Sequence, residues 1–316
     1  SNNTGVGYQA LKNNTTGYYN VALGLQSLAF NTTGVQNTAV GYQALDANTT
    51  ANDNTAVGAY ALGANTTGTD NTAVGTYALD ANTTASANTA IGKNAGGKIT
   101  TGINNVFIGR SANKEGTAVD DTVCVGDRAG DSNTGSQNTY VGGRAGAQRG
   151  SGDHNVGIGF FSMYAVGTDN SNYNTAVGSY AMEMNTSGSS NVAVGYEALE
   201  ENTTGSTNVA VGTLALTSST TASYNVAVGY QAGNSNTTAS QNTFIGYRAG
   251  RDSNASDVTY VGYDSGYQAT GNSNTCLGHR TMDASGCTGS NNTAIGRECL
   301  GGLTTGSNNT ALGYFA

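Results

Sequence analysis

Residues 37–45 read Asn-Thr-Ala-Val-Gly-Tyr-Gln-Ala-Leu, residues 46–53 read Asp-Ala-Asn-Thr-Thr-Ala-Asn-Asp, and at Asn54 the phrase Asn-Thr-Ala-Val-Gly begins again. The Thr-Ala-Val triplet has the β-branched content and two-residue alternation of a short strand. The Gly that closes it, and the Asn, Asp and Thr that follow, are turn formers. One unit is therefore a strand with its turns. Most units are seventeen residues long. That is too short for the helix pair of a helical solenoid, whose repeats run past about thirty.

The closing Gly recurs nineteen times, from Gly7, Gly24 and Gly41 to Gly296 and Gly313. This spacing predicts an all-β fold, a parallel β-solenoid (β-roll or β-helix) of about 19 coils with a repeat of about 17 residues. It is expected to run as one continuous domain over 1–316, with no capping element at either end. Coils stacked at about 4.8 Å would make a rod of roughly 90 Å.

The columns of the repeat carry the packing. The residue before the Gly is Val, Ile or Leu in all nineteen copies, and the residue two earlier is Thr or Val in all nineteen. Positions two apart share a strand face, so Val40, Val57, Val74, Ile91, Val194 and Val211 are expected to form a buried core ladder. The residue four before the Gly is Asn in seventeen copies, among them Asn37, Asn54, Asn71, Asn88, Asn191 and Asn208. This column reads as a structural ladder of stacked amides. The residue between the two branched positions is Ala, Gly, Cys, Phe or Tyr, so that face also looks dry.

The middle position also trades volume with the residue four after the preceding Gly. That residue is Leu or Met in eleven copies, and each is followed by Ala, as in Leu45 with Ala56. Where it is Gly, the following residue is often large, as in Gly96 with Phe107 and Gly233 with Phe244; Gly146 with Gly157 breaks the trend. Two side chains that fill one space trade volume in this way. A strand apolar on both faces further implies burial against another subunit.

Composition narrows the function classes. Gly 47, Pro 0 and 10% charged residues are far from ordinary globular usage, and 37% hydrophobic residues at fixed intervals argue against disorder. A lack of Pro suits coils whose N–H groups serve both neighbours. The net charge of -8 has no basic block to hold phosphates, so no nucleic-acid partner is expected. No run approaches the length of a membrane span, so no membrane insertion is expected. His154 and His279 stand in no spacing that builds a triad or metal site, and Cys124, Cys276, Cys287 and Cys299 form no CxxC pair. No catalytic residue, cofactor or metal is therefore expected. Cys124 and Cys276 replace small core residues and read as buried hydrophobes.

Some columns could face a partner. Tyr recurs after the Gly, as at Tyr42, Tyr230, Tyr247 and Tyr263, which makes either a packed corner or a sugar-binding stripe. The same corner carries Arg110, Arg128, Arg144 and Arg248, read as solvated charges or, more sharply, as a site for an acidic glycan. The Asn-Thr-Thr triplets, such as Asn48-Thr49-Thr50, are formal N-glycosylation acceptors, although turn hydrogen bonds already explain them. The longest unit contains Phe160, Phe161, Met163 and Tyr164 before an irregular turn at 167–173. Insertions in solenoids often mark a binding face, so these aromatics are where a partner is expected.

The strand motif at residues 71–75 and 191–195 resembles the head repeats of trimeric autotransporter adhesins, and 37–45 is similar to repeats of bacterial and phage tail-fibre proteins. The resemblance covers nearly the whole chain and brings no catalytic residues. It implies a left-handed parallel β-roll packed as a homotrimer, located extracellularly, at the cell surface or on a virion. On this reading the chain is a non-enzymatic fibre segment, a spacer with a surface for a cell-surface glycan or receptor. Two alternatives stand beside it: a protomer that stacks end to end into an extracellular filament, and a monomeric solenoid that binds glycans or ice.

Overall fold

The computed structural model describes residues 2–148, 150–164 and 170–316. Among them are nineteen strands of three residues each and no helix. Contacts group the chain into two units, Ser1–Asn155 and Val156–Ala316. The first holds β1 (Thr4–Val6), β2 (Val21–Leu23), β3 (Thr38–Val40), β4 (Thr55–Val57), β5 (Thr72–Val74), β6 (Thr89–Ile91), β7 (Val106–Ile108), β8 (Val123–Val125) and β9 (Thr139–Val141). The second holds β10 (Val156–Ile158), β11 (Thr175–Val177), β12 (Val192–Val194), β13 (Val209–Val211), β14 (Val226–Val228), β15 (Thr243–Ile245), β16 (Thr259–Val261), β17 (Thr275–Leu277), β18 (Thr293–Ile295) and β19 (Thr310–Leu312).

Within each unit every strand pairs in parallel with the next, and equivalent residues face one another. Thr38, Ala39 and Val40 of β3 lie beside Thr55, Ala56 and Val57 of β4, and Val192 of β12 lies beside Val209 of β13. Each unit is a parallel β-solenoid. Its hydrogen bonds continue through the turns: the Leu45 N–H donates to the Ala61 carbonyl at 3.0 Å, and the Gln43 N–H donates back to the Leu25 carbonyl at 3.0 Å. A coil is thus bonded to both neighbours, which is how so short a repeat overcomes the entropy of ordering it.

The closing Gly is required twice over. Gly58 has φ +136°, and a Cβ placed there would lie 2.6 Å from the Gly75 carbonyl. Both the backbone region and the space exclude any other residue.

The strand faces are oriented differently from the expected core ladder. Ala39, Ala56, Ala73, Ala90, Phe107, Cys124 and Tyr140, the middle residues, are fully buried. Val40, Val57, Val74, Val194 and Val211 lie on the opposite, outer face and are only half-buried, and Ile91 is 40% exposed. The Val/Ile ladder is therefore not the interior of the coil. The interior also receives the Ala44 and Leu45 columns from the turns, both fully buried, so little width remains for a strand side chain. Small Ala fits beside Leu, and the branched residues face outward.

The volume trade holds in atomic detail. A Cβ on Gly233 would meet Phe244 at 2.6 Å, and one on Gly250 would meet Phe244 at 2.3 Å and Tyr260 at 3.1 Å. Phe244, Tyr260 and Tyr140 each lie over two glycines, one in the preceding coil and one in their own, whereas Phe107 lies over Gly96 and has Asn113 at the equivalent place in its own coil. A Cβ on Gly146 would likewise lie 2.4 Å from the Tyr140 ring.

Candidate functional surfaces

Two asparagine columns build the frame on which the surfaces are carried. Asn37, Asn54, Asn71, Asn88, Asn191 and Asn208 are fully buried. The backbone N–H of Asn54 donates to Asn37 Oδ1 at 3.1 Å, and its Nδ2 donates to the Gly68 carbonyl at 2.9 Å. Asn71 repeats the pattern on Asn54, and Asn208 on Asn191. Each amide therefore satisfies a backbone donor in the next coil and an acceptor fourteen residues on.

The second column was not recognised in the sequence. Asn31, Asn48, Asn65, Asn82 and Asn202, which open the Asn-Thr-Thr triplets, are also fully buried. Asn48 Nδ2 donates to Asn31 Oδ1 at 2.9 Å, and Asn65 Nδ2 donates to Asn48 Oδ1 at 3.1 Å. Thr66 Oγ1 donates to the Thr83 carbonyl at 2.9 Å. In the folded chain these amides are sealed from a glycosylating enzyme. The signal was their seventeen-residue spacing, which matches that of the first column.

The outer strand face is a pair of uncharged branched columns. In none of the nineteen strands does either outer position hold a charged or amide residue. Val21, Leu23, Ile108, Val226, Val228, Ile245 and Leu277 all lie among the exposed large hydrophobics, with Leu23 at 48%.

The tyrosine corner stacks on itself. Tyr230 and Tyr247 lie 5.3 Å apart at 17°, Tyr247 and Tyr263 5.0 Å apart at 10°, and His279 continues the stack on Tyr263 at 5.1 Å and 8°. The ring faces are taken up by neighbouring rings, so the inner members of this stack present edges to solvent. A sugar packs on a ring face, and the stack withholds it.

Two arginines of the same corner, Arg110 and Arg248, meet carboxylates in an adjacent coil. Arg110 makes a two-pronged pair with Asp127 at 2.7 and 2.9 Å, and Arg248 one with Asp264 at 2.8 and 2.6 Å. Such pairs neutralise the charge an acidic ligand would need. The Arg248 hydrogen bond to Asp264 holds its guanidinium well above the ordinary range. Arg128 and Arg144 are half-buried in the first unit, with φ 55° and 56°.

In the second unit the structure brings the predicted aromatics together. Phe160 and Phe161 lie 4.5 Å apart, Phe161 and Tyr164 4.7 Å, and Phe161 stacks with Tyr180 at 5.8 Å. Phe160 is 48% exposed. Part of the irregular turn, residues 165–169, lies outside the described residues. The cluster and the three arginines Arg110, Arg128 and Arg144 belong to different units.

All four cysteines are free and buried. Burial pushes the Cys124 and Cys276 thiols up, which keeps them protonated and inert. Among the described residues no group of three or more His, Cys, Asp or Glu could hold a metal ion. One acidic corner is electrostatically unusual. Partial burial, followed by the neighbouring carboxylates of Glu197, Glu183 and Glu201, raises the Glu200 carboxyl to about 7. Comparison with protein-family models and with curated proteins returned no match for this chain.

Proposed function

We propose that the chain is a non-enzymatic structural repeat protein, a shaft or head segment of an extracellular, cell-surface or virion fibre that works as a homotrimer. The observation that carries this reading is the outer strand face, two uncharged branched columns left half-exposed in the single chain. A surface of that kind calls for a cover, and a fibre made of several copies supplies one. The resemblance of residues 71–75 and 191–195 to trimeric adhesin heads, and of 37–45 to tail-fibre repeats, supports the same reading. A glycan-binding role is less well supported, since Tyr247 is stacked on both sides and Arg110 is paired with Asp127. The Phe160 cluster is the place to seek a receptor.

The test is the mass of the chain in solution, taken with electron micrographs of the same sample. Discrete trimers are expected. Long threads would favour end-to-end assembly into a filament, and single copies at every concentration would contradict self-association altogether.

A further inference from the structure

We infer that the notch at Gly63, between the carboxylates of Asp46 and Asp80 and beside the rings of Tyr60 and Tyr77, is a binding site for a short alkyl diamine carried as its dication. The inference does not depend on self-association, since every lining residue belongs to the first unit of a single chain.

The site begins as a missing side chain. The fifth position after the closing Gly holds Asp46, Gly63 and Asp80 in three successive coils. Asp46 and Asp80 show that the turn accepts a side chain, and Gly63 lacks the positive φ that would reserve its place for glycine. A Cβ there would lie 3.3 Å from the Tyr60 carbonyl oxygen, with its other neighbours at 3.7 Å or beyond. What the glycine does is leave a cavity of about 230 Å³, lined by Gln43, Asp46, Tyr60, Gly63, Tyr77 and Asp80. That is below the roughly 300 Å³ at which sites for drug-sized ligands begin, so the cavity suits a small chain molecule.

The lining sets the chemistry. Asp46 Oδ1 is buried without a hydrogen-bond partner, and Gln43 Nε2 donates only to Oδ2, at 3.3 Å. Among the described residues no cation pairs with Asp46 or Asp80, although Arg110, Arg248, Arg251 and Arg280 each have a carboxylate of their own. A buried acceptor without a partner calls for a donor, and a carboxylate is served best by a charged one. Partial burial raises both carboxyls above the ordinary carboxylate range, a shift that a bound cation would reverse.

The spacing sets the length. Two strand steps put the aspartate backbones about 10 Å apart. A charge-assisted hydrogen bond of about 2.8 Å at each end leaves the interval between them to a chain of methylenes, which crosses the place that Gly63 leaves open. Tyr60 and Tyr77, stacked 5.0 Å apart at 6°, wall the cavity and give those methylenes an apolar surface. A bare metal ion would leave that wall unused.

The test titrates the full chain with butane-1,4-diamine in a calorimeter at about 0.05 M salt, where charged contacts are little screened. The control is n-butylamine, which has the single charge of a lysine side chain. The diamine should bind at least about tenfold more tightly, the worth of one charge-assisted hydrogen bond. Asp46→Asn and Asp80→Asn should each reduce it to the level of n-butylamine. Gly63→Leu keeps both charges and fills the notch, so it should abolish binding while the circular dichroism stays that of the wild type. Equal affinity for the two amines, or undiminished binding by folded Gly63→Leu, would overturn the assignment and leave two ordinary surface carboxylates. Should Gly63→Leu fail to fold, the two Asn variants decide, and diamine binding unchanged in either would equally overturn it.

Discussion

The ring of Phe107 fills the place where Gly96 has no side chain: a Cβ on Gly96 would lie 2.8 Å from Phe107 Cδ2 and 2.9 Å from Leu79 Cδ2. Interior volume is thus shared between a strand residue and the turn of the preceding coil. The sharing can be transplanted.

Leu45 and Ala56 are fully buried and stand in the same relation as Gly96 and Phe107. Leu45→Gly should cost about 2 to 5 kcal/mol by opening a cavity. Ala56→Phe alone should cost about 1 to 3 kcal/mol by overpacking. The double variant should lose less than the sum, and adding Leu62→Gly should recover more, because Phe244 spans the glycines of two coils. Denaturant unfolding of the whole set, with local transitions scored, measures the coupling. A coupling of zero would show that the columns do not touch.

The asparagine ladder makes a sharper demand. Asn54 Oδ1 accepts from the Asn71 N–H at 3.0 Å, so Asn54→Ala strands a buried donor. About 1 to 3 kcal/mol should be lost for each group left unpaired. Asn52→Ala, at a half-exposed turn, should cost less. Equal losses at the two positions in denaturant melts would mean that the buried column is not special.

Glu200 gives the chain a pH dependence of known sign. Its carboxyl titrates near 4.5 when free and is raised to about 7 in the fold. Between those values the folded chain holds more proton than the unfolded one, so this contribution is full below the lower value and lost as pH rises through the higher. Glu200→Gln should therefore raise the melting temperature above pH 7 and leave it nearly unchanged at about pH 4. Because the group is only partly buried, the gain should be modest and should shrink with salt. A gain confined to acid pH would reverse the argument.

The repeat, its strands and its glycine register were legible in the sequence because every coil restates them. Gly58 cannot vary when both its φ and its neighbour's carbonyl forbid a side chain, so the column announces itself. The direction in which Val74 points was not legible. Alternation separates two faces of a strand without saying which is inside, and both faces here are free of charge. The answer lay in the volume trade, since residues that exchange volume with Leu45 must share the interior with it. Asn48 reads as a turn former in isolation, and its Nδ2 does donate to the Ala51 carbonyl at 3.1 Å; only its recurrence pointed to burial in a second ladder. The Arg110–Asp127 pair was likewise hidden, as its partners lie seventeen residues apart and meet only when coils stack.

Association through an uncharged face is tested most directly by sedimentation of the full chain at low and high salt, about 0.05 M and about 1 M. Burial of Val and Ile is not screened by ions, so the same multiple of the chain mass is predicted at both. Collapse to single copies at high salt would show that charged pairs hold the copies together and would contradict the account.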